Sequence, residues 1–226
     1  MANIDPYTIK LQQAVVQKFN RSNIPHYVIM VDMMHGAAID YFWCLNGVPV
    51  KTHANKPIKQ EFDIDTVLFL DIDCVPLHER AIDYYLNLAA VDRGGVVGNA
   101  QRSNHLDNGQ HMFAAPSSLA ISRESFKYIG APSALETHRS DVAEEYTWAA
   151  EATTDSMVDL FMPVSFDRKP VTTDAPHWPL ADGHPVYGGG TTYGDEESLL
   201  FYHNFEIRIP GQQELFRKKC LEILGE

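Results

Sequence analysis

The chain predicts an α/β fold, a single domain spanning residues 1–226, and three observations carry that prediction. Apolar residues recur at helix-like and strand-like spacings in alternating stretches over much of the 226-residue chain. The run Val67-Leu-Phe-Leu70 has strand length and is apolar on both faces, as a strand inside an α/β sheet is, and it stops at two carboxylates, Asp71 and Asp73. A hydrophobic fraction of 45% over this length suffices for a full core.

Taken in order, residues 6–20 carry Ile9, Leu11, Ala14, Val15 and Phe19 at helical spacing, with Asp5 as N-cap and Pro6 at the first helical position. Residues 26–31 have strand composition and end on Asp32. A helix follows over 35–45, with Gly47 at its C-terminal end. Residues 48–62 read as a polar loop holding Lys51, Lys56 and Lys59. Beyond the Asp pair, residues 77–90 place Ala81, Ile82, Tyr85, Leu86 and Ala89 on one side of a helix. Short strands follow at 94–98 and 114–122. Ser122 caps a helix over 123–128 and Gly130 ends it. Ser140 caps a helix predicted over 141–157, whose early acids Asp141, Glu144 and Glu145 suit the positive end of the helix dipole. A strand over 161–166 leads into 167–194, a segment dense in Pro, Gly, His and aromatics without a sustained period, which reads as a functional loop or lid hinged at Gly188-Gly189-Gly190. A strand over 199–208 and a helix over 212–224 complete the chain.

Composition excludes several classes of function. The formal charge is -12 and no Lys/Arg cluster interrupts it, which argues against a nucleic-acid partner. Cys44, Cys74 and Cys220 are odd in number, far apart and without CxxC spacing, so neither a disulfide framework nor a zinc site is expected and a reduced compartment is. His105, His111, His177 and His184 lack HxH or HxxxH spacing and add no zinc site. Neither an apolar leader nor a span of about 18 apolar residues is present, and the expectation is a soluble, cytoplasmic protein without a membrane span, with room left for a homo-oligomer.

The Asp pair is the focus of the functional reading. Ligands of open α/β sheets sit outside the carboxyl ends of strands, so acids placed there face a crevice. In an extended segment residues i and i+2 point the same way, and Asp71 and Asp73 can then address one hard divalent cation. The plainer alternative is a strand running into a solvated turn, where Asp is common.

The stretch Leu68-Phe-Leu-Asp-Ile-Asp-Cys-Val-Pro-Leu77 resembles the DxD motif of glycosyltransferases of the GT-A fold. The likeness extends over about residues 8–208 and includes Pro116-Ser-Ser-Leu-Ala-Ile-Ser-Arg-Glu124 followed by Ile129-Gly130, an acidic helix start and a late His. The resemblance implies a GT-A-like domain with a mixed, mainly parallel sheet flanked by helices. It also implies transfer of a sugar from a nucleotide-diphosphate donor, held through Mn²⁺ or Mg²⁺, to a hydroxyl acceptor. By that analogy Asp73 ligates the metal, Asp71 faces the ribose and the metal, and His203 completes the protein ligands. Asp32 stands where the superfamily contacts base or ribose. Asp141, with Glu144 or Glu145 as alternates, stands where an inverting transferase keeps its general base. The chain departs from the pattern by opening on a helix where these transferases usually open on a strand.

Two other readings stay open. Asp71-Ile-Asp-Cys-Val-Pro-Leu77 also resembles the first motif of haloacid-dehalogenase-like phosphatases, Mg²⁺-dependent enzymes in which the first Asp is the nucleophile and the second an acid/base. A transferase-like domain that binds a nucleotide or glycan without turnover is the third, with Trp178, Tyr187 and Tyr193 as stacking residues.

Overall fold

A computed structural model of the chain describes residues 4–28, 34–50, 60–91, 95–103, 111–168, 189–195, 198–204, 207 and 211–226. These form two compact units interleaved along the sequence, where the sequence reading treats 1–226 as one. The first comprises Met1–Pro25, Leu70–Tyr84 and Phe161–Glu226, the second His26–Phe69 and Tyr85–Leu160.

In the first unit, helix α1 (Pro6–Phe19) begins as its sequence dictates: the Asp5 carboxylate accepts the Tyr7 N–H at 2.7 Å and Pro6 occupies the first turn, where a missing N–H costs nothing. Helix α6 (Gln212–Leu224) packs beside it, and Gly225 closes α6 in the left-handed conformation with φ of 87°. The Lys18 ammonium donates to the Ile223 carbonyl at 2.5 Å, and Arg217 donates to the Thr8 hydroxyl at 2.8 Å. Between the helices and the sheet lies a core of Leu11, Val15, Val75, Tyr202, Ile207, Phe216 and Cys220. The sheet has the order β2-β8-β7-β6, from β2 (Cys74–Pro76), β8 (Leu199–His203), β7 (Gly189–Gly194) and β6 (Pro163–Arg168).

The second unit carries helix α2 (His35–Leu45), the span its pattern predicts, and the sheet β1-β4-β3-β5. Those strands are β1 (Thr66–Leu70), β4 (Met112–Ser122), β3 (Val96–Arg102) and β5 (Val158–Phe161). Its core gathers Phe42, Trp43, Leu119, Ile121, Phe126 and Tyr146, with the Trp43 and Phe126 rings stacked at 4.2 Å. Helix α4 (Arg123–Tyr128) opens on Ser122, whose hydroxyl accepts the Ser125 N–H at 3.0 Å, and Gly130 follows its end with φ of 87°. The Arg123 guanidinium donates to Asp63 at 2.7 Å and to Asp65 at 2.6 Å, tying the approach to β1 onto the start of α4.

Both sheets belong to an α/β arrangement, but their pairings are mostly antiparallel with some parallel, where the resemblance implies a mainly parallel sheet. The connections explain this. Strands β3 and β4, and β7 and β8, follow one another too closely for the crossover of about a dozen residues or more that a parallel pair needs, so each pair folds back as an antiparallel ladder.

Several elements differ from their predicted extents. Strand β3 runs on to Arg102, β4 begins at Met112 and β8 ends at His203, against predictions of 94–98, 114–122 and 199–208. Four others differ as well. Helix α3 (Ala81–Val91) starts later than residue 77, which is still tied to β8, its N–H donating to the Leu200 carbonyl at 2.8 Å. The predicted strand over 161–166 is two strands, β5 and β6, which join different sheets. Helix α5 (Glu144–Glu151) is shorter than 141–157: Ala143 is left-handed at its N-cap, and Asp155, with φ of 65°, lies in the turn beyond its end. The predicted strand over 26–31 shows no strand in residues 26–28, and residues 29–33 lie outside the described residues.

The proposed lid is partly strand. Asp167 and Arg168 belong to β6, and Gly189–Gly194 is β7, paired in register Phe166↔Thr191 and Arg168↔Gly189. Residues 169–188, with His177, Trp178, His184 and Tyr187, lie outside the described residues, as do Lys51, Lys56, Lys59 and His105. Gly190 has φ of 74°, and a Cβ there would stand 2.6 Å from the Tyr202 hydroxyl, so its place in β7 explains the glycine without a hinge. Tyr193 is buried within β7 and offers no loop surface for stacking.

Candidate metal centre

Strand β1 ends at Leu70, and the chain turns at once. The Cys74 N–H donates to the Asp71 carbonyl at 3.0 Å, the i to i+3 bond of a β-turn over Asp71-Ile72-Asp73-Cys74. The two carboxylates therefore converge because the backbone bends between them. The extended i, i+2 geometry expected from the sequence is not what aligns them.

After the turn, β2 pairs antiparallel with β8 in the register Cys74↔His203, Val75↔Tyr202 and Pro76↔Phe201. That register delivers the third group. His203, the last residue of β8, arrives beside the turn with its Nε2 3.4 Å from an Asp73 carboxylate oxygen. One ligand atom from each of Asp71, Asp73 and His203 lies within 4.8 Å of the others. Asp73 and His203 are buried, at 6% and 4% exposure, while Asp71 is half-buried.

Burial pulls the His203 imidazole toward its neutral form, but the Asp73 carboxylate, by charge and by hydrogen bond, and the Asp71 charge outweigh it, so its pKa is raised. The neighbouring Cys74 thiol is pushed well up, first by burial and then by Asp71 and Asp73. Both directions express one fact: the turn concentrates negative charge in a poorly solvated place.

That field, and two carboxylate oxygens facing an imidazole nitrogen, suit a divalent cation. Donors bound at about 2.0–2.3 Å stand roughly 3 Å apart when adjacent and about 4.5 Å when opposed. A spread of 4.8 Å closes onto one ion with sub-ångström side-chain movement. Carboxylates with one imidazole match Mn²⁺ somewhat better than Mg²⁺.

The other residues singled out in the sequence lie elsewhere. Asp141 and Glu144 belong to the second unit. Glu144 is fully buried, its carboxylate accepting the Asp141 N–H at 2.7 Å and the Ser103 hydroxyl at 2.9 Å and meeting His111 Nδ1 at 2.5 Å. Asp141 is half-buried and accepts from Gln101 Nε2 at 3.3 Å. Glu145 pairs with the Arg139 guanidinium through two bonds of 2.7 and 2.8 Å. Asp32 lies outside the described residues.

The sequence reading missed two groups. His111 stacks on Trp148 at 3.7 Å while its ring nitrogens meet Glu144 and Glu151, and nothing in its spacing announces that. Asn204 is fully buried, and its N–H donates to the Asp73 carbonyl at 2.9 Å. No local pattern signals it, because the partner segment lies more than a hundred residues away. Compared with protein-family models, with curated proteins and with solved structures, the chain matches none.

Proposed function

We propose that the chain is a divalent-metal-dependent glycosyltransferase that moves a sugar from a nucleotide-diphosphate donor to a hydroxyl acceptor. The observation that carries the reading is the convergence of Asp71, Asp73 and His203, three residues far apart in sequence or bent toward one another by a turn, on one cation-sized space. The DxD resemblance supplies the chemical class. When bound, Mn²⁺ or Mg²⁺ supplies Lewis-acid stabilisation of the charge that grows on the leaving nucleoside diphosphate.

In this reading Asp73 and His203 hold the cation, and burial of both keeps water from competing for their donor atoms. Asp71, half-buried, is shared between the cation and the ribose of the donor. Of the two acids weighed as general base, Asp141 is better able than Glu144 to exchange a proton. Its carboxylate is part-exposed, whereas that of Glu144 is sealed and already accepts from a hydroxyl and a backbone N–H.

The phosphatase alternative assigns Asp71 as nucleophile and Asp73 as acid/base and gives His203 no part. The proximity of His203 to Asp73 favours the transferase. Calorimetric titration of Mn²⁺ with and without UDP or GDP, on wild type, Asp73→Ala and His203→Ala, tests the choice. Metal-dependent nucleotide binding lost in both variants is the expected result. Mg²⁺ binding that survives His203→Ala and vanishes in Asp71→Ala, with neither nucleotide bound, transfers the assignment to the phosphatase.

A further inference from the structure

Asn204 sits where three parts of the first unit meet. Its backbone N–H donates to the Asp73 carbonyl at 2.9 Å, one step beyond the last paired residues of β2 and β8. Its side-chain amide donates to the carbonyl of Gln212, the first residue of α6, at 3.4 Å. The residue before it is His203. One fully buried asparagine thus touches the Asp-bearing turn, carries the histidine and reaches the helix that backs the sheet.

A single cation needs its donors held to within a fraction of an ångström, and Asp73, just before β2, and His203, at the end of β8, are linked by one short ladder of three pairs. A ladder end frays unless something closes it. Asn204 closes this one, and Gln12 supports the same segment from α1, its amide donating to the Cys74 carbonyl at 3.4 Å. We propose that Asn204 is a positioning residue of the metal centre: by tying the Asp73 turn to the start of α6 it fixes the separation of Asp73 from His203. The inference rests on the metal reading of that site.

The test uses Co²⁺ alone, on the full chain, with affinity read by titration and geometry by the visible absorption of the bound ion. Asn204→Ala is expected to bind Co²⁺ about 10- to 100-fold more weakly, with shifted bands at saturation, as loss of a residue that orients ligands does. Leu11→Ala, a core change in the same unit, is expected to lower Tm and leave affinity and bands as in wild type. Asn204→Ser, too short to span to Gln212, serves if the alanine variant does not fold, and is expected to show the same shift.

Unchanged affinity and bands in the Asn204 variants overturn the inference while leaving the metal site standing. A lower Tm with wild-type bands at saturation also overturns it, because that is a structural role alone. A wild type that binds no Co²⁺ removes the metal reading itself, and the inference with it.

Discussion

Asp71→Asn should make the metal-free protein more stable while removing its response to metal. Ligand oxygens of Asp71 and Asp73 lie within 4.8 Å of each other. At that distance two unit charges repel by roughly 0.9 kcal/mol at the dielectric of water and roughly 3.5 kcal/mol at an effective dielectric near 20. Asp71 is half-buried, so solvent screening places the expected gain at about 1 to 2 kcal/mol. In a chain of this size ~1 kcal/mol moves Tm by about 2–4 °C.

The sign depends on His203, whose pKa is raised in part by Asp71. A raised histidine contributes stability that is present below its unfolded value near 6.5 and lost as pH rises through its folded value. While the imidazole is protonated, removing Asp71 removes an attraction as well as a repulsion, so the gain is small at pH 5.5 and grows toward pH 8.5. Mn²⁺ at 100 times its Kd should stabilise wild type by about 2.7 kcal/mol and the variant by much less. Thermal melts in EDTA and in Mn²⁺ at both pH values read all of this. An Asp71→Asn protein that melts at the wild-type temperature in EDTA at pH 8.5, and gains as much from Mn²⁺, refutes the reasoning.

Three further expectations follow from other parts of the fold. Glu144→Gln should lower stability by about 2–3 kcal/mol in urea unfolding, because a fully buried carboxylate that accepts a hydroxyl and a backbone N–H is altered, whereas Asp141→Ala, at a half-buried position, should cost under ~1 kcal/mol. Gly190→Ala should destabilise by more than ~1 kcal/mol, with loss read as a fall in Tm, since φ of 74° and contact with the Tyr202 hydroxyl and Asp167 leave no place for a Cβ. Burial pushes the Cys220 thiol up to about 12, so this residue contributes stability that is present below the unfolded thiol's value near 9 and lost as pH rises from there; alkylation at pH 8 should be slow in the native protein and complete in urea.

Legibility of the sequence followed the range of the forces involved. Local rules sufficed for α1, α2, α4 and α6, whose ends are set by Asp5, Pro6, Ser122 and nearby glycines acting within a turn of the chain. They failed for α5, because Ser140 bonds to the Glu145 side chain at 2.9 Å and so does not cap the helix, and because the Glu144 carboxylate folds back onto the Asp141 N–H. Sheet direction failed for another reason: residue patterns report burial and period, and neither encodes which way a neighbour runs. At the site, Asp71 and Asp73 were legible as a pair of acids after an apolar run, and His203 only through the late histidine of the GT-A resemblance. Asn204 and the register that seats His203 opposite Cys74 were not, because a strand's partner lies more than a hundred residues away and no local pattern names it.

The interleaving of the two units orders the maturation of the site in time. The first unit is assembled from the opening residues, a short middle piece and the last part of the chain, so on the ribosome its sheet waits for β7 and β8 while most of the second unit has already emerged. Asp71 and Asp73 are made early and remain a bare acidic turn until His203 is delivered, an interval of roughly ten seconds at ribosomal rates. On the metal reading, cation capture therefore waits for β8, in the same unit where α6 docks against α1, whose residues meet across more than two hundred positions of sequence. Contacts of such separation are slow to form. A cation present during synthesis should act on this protein as a late clasp, speeding completion of the first unit without altering how the second one folds.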